Sequence, residues 1–256
     1  MKLSQYGEDL AYDVASWMQG FTDPEYPLDR LGSLSVELSA KFRTLAIVIL
    51  LVRSEVDKFY HNLIRSGKVR ETYLRRVGEY GLLEDHHRAS GRYEAVLDSI
   101  ASGDIALARR IVDLSPREWR KGHEYEDDYC YAQILHRLVK EMPPEQEIPP
   151  LLDQFEAYLD GQSSARLNVC RALLERNQVA FDEAFDALLE EWDAKIAADK
   201  ERGQMEEPEI VAQRQVFVEG VAILRLAEGR GLSTQHEYRY CPSLARVPMR
   251  TPFPGE

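Results

Sequence analysis

Apolar residues recur every three or four positions through most of the chain, the spacing that lines one face of an α-helix. Leu34, Leu38, Leu45, Ile49, Val52, Val56, Phe59 and Leu63 keep that spacing, with Phe42 filling the one longer gap. They predict a single helix from Ser33 to Ser66, on the order of 50 Å long at 1.5 Å per residue. Its middle, LAIVILLV from Leu45 to Val52, is apolar all round, so other helices must cover it on several sides. It is expected to be the axis of the fold. Gly67 is expected to cap it, and VRETYLRRVGEYGLLEDHH to start a second, more polar helix.

Two later segments share a layout. In GRYEAVLDSIASGDIALARRIVDL a helix, a break at Ser102-Gly103-Asp104 and a second helix follow one another. ARLNVCRALLERNQVAFDEAFDALLEEW repeats this, with its break at Arg176-Asn177-Gln178. Both read as αα-hairpins, loosely like tetratricopeptide units but too few and too far apart for an array. Between them, Ser115, Pro116 and Glu118 of SPREW occupy the cap, first-turn and capping-box places of a short helix. Tyr131, Ile134, Leu135, Leu138, Val139 and Met142 mark one face of the next helix, and IPPLLDQFEAYLDG supplies another, stopped by Gly161. In the last helix, near EIVAQRQVFVEGVAILRLAEGRGL, Gly220 interrupts an apolar body at a cost of about 1 kcal/mol. It is expected to admit the tail or another helix closely, and Glu219 to pair with a tail arginine. No segment alternates as a half-buried strand does. The class is therefore all-α: a multi-helix antiparallel bundle of αα-hairpins around a long central helix, with a proline-rich non-helical tail over 232–256. One domain over 1–256 is expected, with an N-terminal helical part over 1–120.

Charge narrows the partners. Lys and Arg number 32 against 44 Asp and Glu, a net charge of −12, whereas phosphate contacts need a basic face. Nucleic acid is not an expected partner, and a basic protein is. The acids concentrate: from Phe181 to Glu209 eleven stand against three basic residues, a density that speeds encounter with a positive surface. A second knot lies in KGHEYEDDYCYAQILHRL. The candidate partner-binding residues are Glu124, Glu126, Asp127, Asp128, Glu190, Glu191, Glu206 and Glu207. The start of the chain has no basic-apolar-small pattern of an export signal, and no apolar run is long enough to cross a bilayer, so a cytoplasmic protein without membrane contact is expected.

Catalytic and metal signatures are sparse. Glu126, Asp127 and Asp128 are consecutive, so on a helix they diverge by about 100° each and cannot chelate one ion together. They suit the positive end of a helix instead. Glu84-x-x-His87 has the spacing used in di-iron bundles, but it occurs once where two copies are needed. Cys130, Cys170 and Cys241 are far apart and read as core thiols. No nucleophile elbow, phosphate loop or H-E-x-x-H is present. No enzyme activity, cofactor or metal is expected.

The order YEDDYCYAQIL, RLNVCRALLERNQVAFDEAFDALLEE, VFVEGVAILRLAEGRGL and YRYCPSLARVPM resembles the immunity protein 49 family of bacterial polymorphic toxin systems. The resemblance runs from about Tyr125 to the C-terminus and is most specific over Glu219–Leu232 and Cys241–Arg246, with Gly229 a local departure. It implies a non-enzymatic protein that binds and neutralises a cognate toxin domain. With no export signal, that toxin is expected to act in the cytoplasm and to present a basic surface, as a nuclease does. A tetratricopeptide-like adaptor binding a peptide or protein partner is the alternative reading.

Overall fold

The long apolar run is divided between two helices. The structure, a computed structural model, describes residues 2–142, 144–202 and 208–254. After α1 (Leu3–Thr22), α2 spans Leu28–Arg53 and α3 spans Val56–Glu79. Ser54 stands between them in the left-handed region, φ 53°, with its N–H bonded to Leu50 O at 3.0 Å. The chain therefore doubles back, and α3 packs along α2, where Ser39 Oγ donates to Ser66 O at 3.1 Å. The expected axis is thus a hairpin, because apolar spacing continues unbroken across a turn that no glycine or proline marks. α1, α3 and α10 (Pro208–Gln213) cover α2, while Leu51 and Val52 stay exposed at its end.

Gly67 does not cap a helix either. It lies within α3, which continues through VRETYLRRVGE to Glu79. A Cβ at Gly67 would come within 2.2 Å of Ser99 Oγ and 2.7 Å of Leu107 Cδ2. The glycine lets the first hairpin, α4 (Glu94–Ser102) and α5 (Ile105–Leu114), sit directly on α3. Gly103, at φ 86°, turns that hairpin and the Asp104 carboxylate caps α5 by accepting Leu107 N–H at 2.8 Å.

SPREW forms no helix. Ser115 ends α5, and the carbonyls of Pro116 and Arg117 accept Gln133 Nε2 and Tyr129 Oη of α6 (Glu126–Leu138), each at 2.9 Å. Tertiary bonds from α6 have claimed the backbone that a helix would have used. Met142 lies beyond α6 and is 88% exposed, outside the face assigned to it. α7 (Pro149–Leu159), α8 (Ala165–Glu175) and α9 (Gln178–Glu201) follow, the last two as the second hairpin. The hairpins do not stack as consecutive repeats: α4–α5 packs on α3 and α11, and α8 packs on α6 and α7.

The last predicted helix is split into α10 and α11 (Val218–Gly229), because Phe217 N–H turns away to Tyr240 O at 2.8 Å. Gly220 does admit the tail: a Cβ there would meet Cys241 Sγ at 2.6 Å. The tail then crosses to α3. Val247 O accepts Tyr60 Oη at 2.6 Å, the Asp57 carboxylate accepts the N–H groups of Arg250 (2.8 Å) and Thr251 (3.1 Å), and Phe253 packs edge-on to His61. Among the described residues there is no strand, and no helix is long and apolar enough to cross a membrane.

Candidate partner-binding site

The acidic knot before α6 and the acidic face of α9 meet around the start of α8. Ser164 caps α8, and Glu191, reaching from α9, accepts Ala165 N–H at 2.9 Å. A carboxylate is stabilised there by the free N–H groups and partial positive charge of the helix end. The next residue, Arg166, clasps Glu219 of α11 through two bonds of 2.8 Å and lies 3.8 Å from Asp128 of α6. Two stretches far apart in sequence are thereby held at one corner of the molecule.

Arg166 also corrects one expectation. Glu219 finds its cation in α8 and not in the tail, whose Arg239 and Arg246 pair with Asp193 and Glu228. Tyr131 Oη adds a third bond to Glu219 at 2.9 Å. The guanidinium lies over the rings of Tyr93 and Tyr131, 5.5 and 5.1 Å from their centres, as a cation does against an aromatic face. Tyr93 Oη in turn donates to Asp128 at 3.2 Å. Burial, then repulsion from Asp127, pushes the Asp128 carboxyl up, while Arg166 pulls it back.

Two grooves open on this cluster. One, of about 180 Å³, lies among Arg43, Glu94, Arg166, Trp192, Lys195 and Glu219. The other, of about 530 Å³, runs between Arg92, Tyr93, Glu94, His123, Glu124 and Asp128. At the base of the smaller groove Asp98, wholly buried, accepts Arg43 at 2.6 and 2.9 Å and Ser66 Oγ at 2.5 Å. The base of that groove is therefore paired charge, and of the candidate acids Glu124 and Asp128 line the larger groove.

The candidate acids divide by what they touch. Glu124 is turned inward: its carboxylate accepts Gly91 N–H at 2.5 Å, Ser90 Oγ at 3.2 Å and Arg120 N–H at 3.2 Å, tying the loop before α4 to the loop before α6. Asp128 and Glu191 are likewise bonded within the fold. Glu126 accepts Gln154 Nε2 at 2.7 Å, Asp127 is half-buried, and Glu190 is exposed. Glu206 and Glu207 lie outside the described residues. Beside Glu126 and Asp127 stand Tyr125 and Tyr158, 71% and 44% exposed. Desolvation and then Asp127 raise the Tyr158 hydroxyl above its usual range. These tyrosines, and Tyr93 and Arg166, carry no distinguishing local pattern. Only the packing of α4, α6, α7 and α8 brings them to the acids.

The three thiols are buried and free of disulfides. Burial pushes Cys130 and Cys241 up to about 12 and Cys170 further, so none is a thiolate nucleophile at neutral pH. Among the described residues one group of three could hold a metal ion, Asp85, His86 and His87.

No curated protein and no solved structure matches the chain. The profile of the family described as Immunity protein 49 matches residues 44–245, from within α2 to the short 3₁₀ turn of the tail. The match begins well before the acidic knot, so the end of α2 and the helices α3, α4 and α5 belong to the matched region, as does the start of the tail. On that coverage, the chain belongs to the immunity protein 49 family.

Proposed function

We propose that this immunity protein binds and neutralises a cognate toxin domain that acts in the cytoplasm, and that it does so without catalytic chemistry. The contact surface is the rim formed by the start of α6 and the outer face of α9. The convergence of the two acidic stretches at the α8 N-terminus carries this reading: the bonds of Asp128 to Arg166 and of Glu191 to Ala165 N–H hold the start of α6 and α9 at one corner, where the charges of their acids add. Tyr125 and Tyr158 add the exposed aromatic area that anchors protein interfaces. A basic toxin, such as a nuclease, would be attracted by the acids and blocked by the mass of the fold.

Growth rescue tests it. The toxin domain encoded beside this chain is expressed in a susceptible cell with and without the protein. Restored growth, with a stable complex on size exclusion, is the expected result. Failure of rescue when both proteins are soluble and the toxin is active overturns the reading.

A further inference from the structure

The loop from α3 to α4 carries Asp85, His86 and His87, whose ligating atoms lie within 4.8 Å of one another. The rings of His86 and His87 are 3.9 Å apart, and His123, from the loop before α6, stands 6.4 Å from His86 and edge-on to it. From these residues we propose that the protein binds one divalent transition-metal ion, of the zinc class, at Asp85, His86 and His87 with His123 as the fourth donor.

Three observations carry it. First, the donor set is three imidazoles and a carboxylate, which suits a borderline ion such as Zn²⁺ and not Mg²⁺ or Ca²⁺, which take oxygen. Second, Nδ1 of His87 and Nδ1 of His123 are buried yet bond to nothing among the described residues. An imidazole nitrogen left dry is a cost that a metal bond would remove. Third, the loop is held in place from behind. Buried Arg70 binds the carbonyls of His87 (2.5 Å), Arg88 (3.2 Å) and Ala89 (3.0 Å), and the Asp85 carboxylate accepts His87 N–H at 2.9 Å. Gly32 of α2 forms the back wall: a Cβ there would lie 2.5 Å from His87 Cδ2 and 2.7 Å from Asp85 Oδ2. Of the neighbouring cations, Arg88 donates to Leu83 O and Arg120 to the Glu84 carboxylate and Asp85 O.

Zinc–nitrogen bonds of about 2.0–2.1 Å place tetrahedral donors about 3.4 Å apart. The set must therefore contract, which His86 can do because its side chain is 58% exposed. The ion would join the α3–α4 loop to the loop before α6, the same two segments that Glu124 ties a few residues away. The inference is independent of toxin binding.

Untagged full-length protein, stripped with chelator, is titrated with Zn²⁺ by calorimetry and with Co²⁺ by visible absorption, Mg²⁺ serving as control. Expected are one Zn²⁺ per chain, the intense bands of tetrahedral cobalt, and a melting temperature that rises with Zn²⁺ and not with Mg²⁺. His86→Ala, an exposed change that leaves the metal-free melting temperature unaltered, weakens binding on the order of tenfold or more. His123→Ala weakens it too. Absence of saturable Zn²⁺ binding, or wild-type affinity in both variants, overturns the proposal.

Discussion

His136 lies on the buried side of α6, sealed from solvent. Burial first, then repulsion from Arg137, Arg70 and Lys140, holds its imidazole down at about 3. In the unfolded chain the same group titrates near 6.5. Between those values the unfolded state takes up a proton that the fold refuses, so stability is lost as pH falls from about 6.5 towards 3. The slope approaches about 1.4 kcal/mol per pH unit. Asp98 and Asp128 act in the opposite sense, because burial raises both carboxyls and the fold then holds protons more tightly than the unfolded chain does. Comparing His136→Gln with the parent in urea separates the two. The variant is less stable at pH 7.5, and the gap narrows by about 1.4 kcal/mol at pH 5.5, since only the parent pays for the histidine. A gap that stays constant would mean that His136 charges within the fold.

At the scale of elements, the sequence was readable where the chain carries its own stop signals. Gly103 with Asp104, and Asn177 accepting Ala180 N–H, mark the two hairpins, and side-chain caps of this kind are local. Ser54 gives no such mark. It adopts a left-handed turn that glycine or asparagine usually takes, so two helices read as one. Long-range pairing was equally hidden. Glu219 in an apolar helix plainly needed a cation, yet which arginine supplies it depends on how α8 meets α11. The same holds for the convergence of the acids and for His123 beside His86. A double-mutant cycle checks the Arg166–Glu219 clasp: Glu219→Gln and Arg166→Met each cost about 2–4 kcal/mol in urea denaturation, because each strands a half-buried partner. The two together cost at least about 1 kcal/mol less than their sum. Strict additivity would mean that Tyr131 and Asp128, and not the clasp, hold the helices at this corner.

For the whole molecule, what matters is where the net charge of −12 is free to act. Glu124, Asp128 and Glu191 are bonded inward, so reversing any of them would disturb the fold and confound a binding measurement. Glu190 is exposed, and Asp127 is half-buried with its Oδ1 bonded to nothing among the described residues, which makes Asp127→Lys with Glu190→Lys the cleaner probe. Charges of this kind act at long range and set the rate of encounter, while packed contacts set the lifetime of a complex. In stopped-flow mixing with the cognate toxin domain, the double reversal slows association by about tenfold at low salt and leaves dissociation nearly unchanged. The difference shrinks at high salt, where screening shortens the reach of each charge to a few ångströms. Tyr125→Ala with Tyr158→Ala gives the reverse pattern, faster dissociation at an unchanged association rate, if these exposed rings are the anchors. Association that ignores both salt and charge reversal would move the toxin contact off this rim and leave the acids of α9 as solvated surface.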